Sequence, residues 1–265
     1  MAAILNPKRW TMKPPVGTRL NQGCPLSARM VSCYPLHEGG GRIVEDLVRP
    51  RFAGTLDADC QWKTGPNGLV LDFPGTGTIA LPSYLFSSNI LSISISFMTR
   101  DAAASAALFS IFTANDNAVE IWQAGFNDCI WGGCPSGGRA FTAAGSIVAG
   151  VWYHAVLTVD GTTSRMYLNG QRSGNDAYPQ FTTFSPVGCV GNRAPPIPYW
   201  PFDGAIRDIE LFGCALSPSE VQQLYMDQWA FMAPQSPRIR YFIPSTAEGG
   251  LSIPVAMASY RQRWR

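Results

Sequence analysis

Asp208-Ile209-Glu210 places two carboxylates at i and i+2, a spacing that puts both side chains on one face of a strand. A retaining glycoside hydrolase uses such a pair about 5–5.5 Å apart, one carboxyl as nucleophile and the other as acid. Arg207 adjoins them, so the simpler expectation is strand-edge acids bonded to backbone or to that guanidinium. His154, in Trp152-Tyr153-His154, has no nucleophile at readable spacing and reads as a packed or surface-facing strand residue. No phosphate loop or dinucleotide fingerprint occurs. Catalysis is therefore not expected.

Ligand binding has better candidates. Sugar C–H faces stack on aromatic rings, and the available platforms are Trp131, in a Gly-rich Trp131-Gly132-Gly133 loop, and Tyr199-Trp200, in the Pro195–Phe202 loop. The competing reading is that the proline-rich loop folds its rings onto the end of a sheet. Calcium needs several converging oxygens; Asn115-Asp116-Asn117 and Asn127-Asp128 offer some, but a turn-forming role explains them, and no cofactor is expected. Seven cysteines cannot all pair within one chain. Cys129 and Cys134 could close a small loop, though reduced, part-buried thiols made in a cytoplasm are the favoured reading. His37 and His154 lie far from that pair, which disfavours zinc.

These residues need elements to hold them. Charged residues make up only 14% of 265, while Gly (26) and Pro (21) are plentiful, which suits short strands and many loops rather than helical bundles. In Ser92–Met98, Ile93, Ile95 and Phe97 alternate with Ser92, Ser94 and Ser96, predicting one core face and one wet or lightly covered face. Further strands are predicted at Met30–Leu36, Gly68–Phe73, Leu108–Phe112, Ala118–Trp122, Val151–Val159 and Ser164–Leu168. Asp160-Gly161 and Asn169-Gly170 between apolar runs mark a meander. Ser217-Pro218-Ser219-Glu220 spells a capping box, and Val221, Leu224 and Tyr225 give that helix an apolar stripe.

The net charge of +2 conceals a polarity. Residues 1–30 hold Lys8, Arg9, Lys13, Arg19 and Arg29 without an acid (+5); residues 238–265 hold Arg238, Arg240, Arg261, Arg263 and Arg265 against Glu248 (+4); the remainder sums to −7. Residues 1–29 read as an extended, proline-containing basic arm. Residues 230–265 form a second arm, too rich in Phe231, Tyr241, Phe242, Ile243, Tyr260 and Trp264 to stay in water comfortably. Arginines beside aromatics are typical interface anchors, so Lys8, Arg9, Arg238, Arg240, Tyr241, Phe242, Arg261, Arg263, Trp264 and Arg265 are the expected assembly surface. The acidic body argues against nucleic acid, and no run approaches the ~18 apolar residues of a membrane span. The segment after Met1 is too short in apolar residues for a signal peptide.

Five fragments occur in order: Trp152-Tyr153-His154, Val159-Asp160-Gly161, Met166–Gly170, Phe202–Ile206 and Ala215–Glu220 followed by Leu224-Tyr225. Glu38-Gly39, Asp46, Gly54 and Gly68–Phe73 precede them. Together they resemble the laminin-G-like, concanavalin A-like jelly-roll family over most of residues 30–229. The resemblance implies an all-β, two-sheet antiparallel sandwich with one short C-terminal helix. The glycosidase signature Glu-x-Asp-x-x-Glu of related enzymes is absent. A domain of this kind with an aromatic, basic tail resembles structural proteins of tailed bacteriophages. That implies a virion protein, a capsid decoration protein above all, whose arms dock on capsid or other virion subunits and on copies of itself. A head-fibre or tail-associated protein and a glycan-binding lectin-like module are the alternatives.

Overall fold

The computed structural model describes residues 10–82, 89–112, 118–134, 138–178, 187–193 and 200–234. Their strands, in chain order, are β1 (Met30–Tyr34), β2 (Ile43–Val44), β3 (Gly54–Leu56), β4 (Gln61–Gly65), β5 (Gly68–Pro74), β6 (Ile79–Leu81), β7 (Ile90–Thr99) and β8 (Ala106–Phe112). There follow β9 (Ala118–Ala124), β10 (Cys129–Gly133), β11 (Arg139–Phe141), β12 (Trp152–Asp160), β13 (Ser164–Leu168), β14 (Gln171–Arg172), β15 (Val187–Val190) and β16 (Asp203–Phe212). They form two antiparallel eight-stranded sheets. The first runs β14-β13-β12-β7-β16-β5-β4, with β1 beside β5 on the same flank of β16; the second runs β11-β10-β9-β8-β15-β6-β3-β2.

Alternation decides what lies between the sheets. Ile93, Ile95, Phe97, Leu157, Val159, Ile209 and Leu211 of the first sheet meet Phe109, Ile111, Val119, Ile121 and Ile130 of the second in one buried cluster. The predicted turns hold: Asn169 (φ 50°) and Gly170 (φ 79°) form the β13–β14 hairpin, with positive φ at both central residues as a type I′ turn requires. Helix α1 (Pro218–Met226) starts at the expected box, Glu220 Oε2 accepting from Ser217 N at 2.8 Å and Ser217 Oγ from Glu220 N at 3.4 Å. Among the described residues no helix is long and apolar enough to cross a membrane. None of the seven cysteines forms a disulfide.

The structure departs from the sequence reading at three places. Ser92, Ser94 and Ser96, expected on a wet or lightly covered face, are fully buried. A second apolar layer covers their face, built from Leu26, Met30, Phe212, Val221, Leu224, Trp229 and Phe231. Residues 10–29, expected as part of an extended arm, belong to that cover. Trp10 Nε1 donates to Ala233 O (2.8 Å), Leu20 bridges Met232, and Asn21 N donates to Phe231 O (2.8 Å). Sandwich packing thus extends on both sides of 30–229. The reason is apolar area: Trp10, Leu20, Cys24 and Leu26 pack in one cluster with Trp229, Phe231 and Met232, and fully burying a side chain such as Leu26 or Met232 is worth about 1.5–3 kcal/mol. The third departure is charge. Lys13 is part-buried and donates to three main-chain carbonyls, and Arg29 pairs with Glu220, so two of the five N-terminal cations are engaged by the sandwich itself.

Candidate functional site

The outer face of the second sheet carries an aromatic cluster. Strands β9 and β10 are joined by a tight turn whose register sets Trp122 opposite Trp131, and β11 sets Phe141 opposite Trp131. The two indoles stack with centroids 5.6 Å apart and planes 18° apart. Trp200 arrives from a distant loop because its carbonyl accepts from Ala107 N (2.9 Å), beside the bulge in β8, and its ring lies 5.3 Å from Trp122 at 60°. Phe126, at the tip of the β9–β10 turn, is 70% exposed. Trp122, Trp131, Trp200 and Phe126, together with Glu120, Arg139 and Arg193, line a cleft of about 320 Å³.

The polar floor follows from the same register. Ser110 faces Glu120 across β8–β9 and donates to its Oε1 (3.0 Å), which also accepts from Arg193 Nε (2.9 Å). Glu120 is wholly buried, and its Oε2 has no hydrogen-bond partner among the described residues. Burial pushes its carboxyl above the usual range, with Arg193 pulling the other way. Arg139 lays its guanidinium 4.7 Å over the Trp131 ring, a cation–π contact. Gln123 fixes one wall: its Nε2 donates to the carbonyls of Asp101 (2.5 Å), Ala102 (3.2 Å) and Ala104 (2.7 Å), just ahead of Ser105 at the rim. Gly125 lets that wall approach, since a Cβ there would fall 1.8 Å from Ala103 O.

The structure therefore joins Trp131 to Trp200 and gives them different positions. Trp200 is 42% exposed and forms a wall, while Trp131 is 4% exposed, a floor residue between Trp122 and Arg139. Trp131-Gly132-Gly133 is strand β10 and not a loop; Gly132 faces the core, where a Cβ would sit 2.5 Å from Met166 Sδ. Sequence reasoning missed Glu120, Trp122, Phe126, Arg139 and Arg193. A readable signal existed for Trp122: it and Trp131 are equidistant from the centre of the 125–128 turn. Tyr199, Asn115-Asp116-Asn117, Lys8, Arg9, Arg238, Arg240, Tyr241, Phe242, Arg261, Arg263, Trp264 and Arg265 lie outside the described residues. Asn127-Asp128 sits in the β9–β10 turn, Asp128 at φ 45°.

The acids first suspected of chemistry are elsewhere, under the outer cover of the first sheet. Asp208 and Glu210 are on the central strand β16, not at an edge, and are shut off from solvent. Asp208 Oδ2 accepts from Arg207 Nε (2.7 Å), and Arg207 Nη2 donates to Ser96 Oγ (2.8 Å). Ser94 Oγ donates to Glu210 Oε2 (2.7 Å) and lies 2.9 Å from His154 Nε2. Lys13 spends its donors on the carbonyls of Leu36 (2.9 Å), Leu69 (2.5 Å) and Arg207 (2.6 Å). Burial lowers its pKa to about 7, with Asp208 pulling it back up. Burial raises Asp208, but Arg207 and Lys13 more than offset this and hold it below the usual range. Burial and the Asp208 charge raise Glu210 well above it. Burial also lowers His154 to about 4.

A family model described as Concanavalin A-like lectin/glucanases superfamily, of laminin-G type, matches residues 73–222, from the end of β5 into α1. The chain belongs to this superfamily. Among solved structures of the superfamily's fold, domain 4 of the extracellular arabinanase AbnA from Geobacillus stearothermophilus, in complex with arabinotriose, superposes with a TM-score of 0.60. It is 20% identical, over 74% of this chain and 98% of that one. A Trypanosoma rangeli sialidase in complex with 2,3-difluorosialic acid gives 0.61 at 17% identity, over 84% of this chain and 37% of that one. The binding domain of botulinum neurotoxin serotype G gives 0.54 at 15%, over 76% and 51%. The chain thus spans about a third of the sialidase and half of the toxin domain, and at these identities the likeness is one of fold. No curated protein sequence matches the chain.

Proposed function

We propose that this chain is a non-catalytic carbohydrate-binding module whose site is the tryptophan cleft. The observation that carries the reading is the arrangement of Trp200 and Phe126 as exposed walls above a floor of Trp122, Trp131, Glu120 and Arg193. Rings present stacking faces to sugar C–H surfaces, and fixed polar groups among them orient hydroxyls. A volume of about 320 Å³ suits one or two sugar units rather than a long chain in a groove. The arabinotriose held by the arabinanase domain supports the class of ligand. A retaining hydrolase needs two carboxyls about 5–5.5 Å apart. Glu120 is the single carboxylate among the described residues lining the cleft, and Asp208 with Glu210 lies where no substrate reaches.

Replacing Trp200 with alanine is expected to weaken glycan binding at least about tenfold while leaving the melting temperature within a few degrees, because its ring is part-exposed. A glycan array followed by calorimetric titration of the hits measures this. Hits that bind both proteins equally would remove the cleft from the reading.

The charge layout favours a second reading, in which the basic ends attach the sandwich to an acidic assembly. Its fuller form is a bacteriophage capsid decoration protein, with head-fibre or tail-associated placement as variants and a virion as its location. The sandwich would project outward while Arg238, Arg240, Arg261, Arg263 and Arg265 contact neighbouring virion subunits or further copies of the chain. Light scattering of the full chain and of a version ending at residue 234 tests it. The expected result is an oligomer that becomes monomeric on truncation and weakens with salt. A monomer in both forms counts against self-association through this segment.

A further inference from the structure

The cleft's charges are not equally reachable. Glu120 is wholly buried beneath Arg193, whose side chain is itself only 11% exposed, whereas Arg139 is exposed and rests its guanidinium on the floor tryptophan Trp131. An entering molecule therefore meets guanidinium before carboxylate. The buried acid serves a different purpose, fixing Arg193 through Nε while Ser110 fixes the acid in turn. Arg139 rests on a ring, and its planar fork loses less freedom per hydrogen bond formed than a lysine would. Two planar cations thus line the cleft beside a hydrophobic wall, and guanidinium is the side chain suited to recognising a carboxylate in a bidentate, geometrically selective way.

We infer that, within the carbohydrate-binding reading on which this rests, the cleft selects acidic sugars. The sugar carboxylate faces Arg139 and Arg193, and the pyranose face packs on Trp200. Glu120 acts as a positioning residue for Arg193 and does not touch the ligand. Phe126 adds a further exposed ring to the lining.

The test uses oligosaccharides of glucuronate, galacturonate, mannuronate and N-acetylneuraminate, each beside its carboxyl-reduced counterpart, in which the acid has become a primary alcohol. Titrated against the full chain, at least one acidic member is expected to bind about tenfold or more tighter than its reduced partner. That preference should shrink between about 0.05 and 0.5 M salt. Arg139→Gln is expected to abolish the preference while weak binding of the reduced sugar through Trp200 persists. Glu120→Gln is expected to lower affinity for the acidic member alone. Equal affinity for acidic and reduced sugars, with both lost in Trp200→Ala, would overturn the selectivity and leave the carbohydrate reading standing. Absence of binding by either class, with a glycan array equally silent, would overturn both. Because the carboxyl-reduced comparison is made on the unaltered protein, poor folding of a variant cannot obscure the result.

Discussion

Arg207→Ala is expected to destabilise the folded chain by about 3–5 kcal/mol, because it strands the buried Asp208 carboxylate without its closest cation. The guanidinium also donates to Ser96 Oγ and sits 5.6 Å over the Trp152 ring, so packing is lost with the charge. One compensation sets the lower end of the range. Arg207 helps to keep the Lys13 pKa near 7, and in its absence Lys13 stays protonated at neutral pH and takes over part of its work. Removing both ionic partners, as Arg207→Met with Asp208→Leu, should restore most of the loss, since a buried pair is typically replaceable by apolar groups of similar volume. Urea unfolding at pH 7 measures all three proteins. A single-variant cost under about 1 kcal/mol would mean that Asp208 is solvated or otherwise compensated.

The second large effect is a loss of stability in acid that originates at His154. Its folded pKa is about 4, depressed by burial, against about 6.5 when unfolded. Between those values the unfolded chain binds the extra proton, so stability is fully present above pH 6.5 and falls as the pH drops towards 4. The window is worth about 3 kcal/mol. Glu210 opposes it: its raised pKa keeps the folded carboxyl protonated where the unfolded one ionises, which favours the fold on the acid side. Asp208, Arg207, Ser94 and the stacked Tyr225 ring complete the surroundings of the imidazole. His154→Gln keeps a donor for Ser94 and does not titrate, so it isolates the histidine. Relative to that variant, the natural protein should lose about 3 kcal/mol of unfolding free energy between pH 6.5 and 4. Parallel curves would show that His154 is already protonated, or exposed, in the fold.

Most of the architecture was legible because it is written locally. Ile93, Ile95 and Phe97 alternate, Asn169-Gly170 turns a hairpin, and Ser217 with Glu220 caps a helix, each within a few residues. What stayed illegible depends on segments far apart in the chain. Ser92, Ser94 and Ser96 read as wet or lightly covered because a small polar residue is buried only if something supplies its hydrogen bond. Here Glu210, Arg207 and the 214–216 segment supply it, more than 100 positions away. The site follows the same logic. Trp131 and Trp200 were recognisable as rings, but their meeting on Trp122 depends on the register of β9 with β10 and on one hydrogen bond from Ala107. Arg139 and Arg193 carried no pattern of their own in the sequence.

The central place of β16 has a consequence for biosynthesis. This strand fills the slot between β7 on one flank and β5 with β1 on the other, so the first sheet is incomplete until residue 212 has left the ribosome. The neighbouring run β8, β9, β10 and β11 needs only local hairpins and can form much earlier. During translation the nascent chain therefore carries β7 with an unmatched edge and an uncovered apolar face, the condition under which chaperones are recruited and copies on one messenger pair with each other. Slowing translation between codons 180 and 200 should leave the Trp122–Trp131 pair assembled while Trp200 of the cleft and Glu210 of the Ser94–His154–Glu210 layer are still to be made.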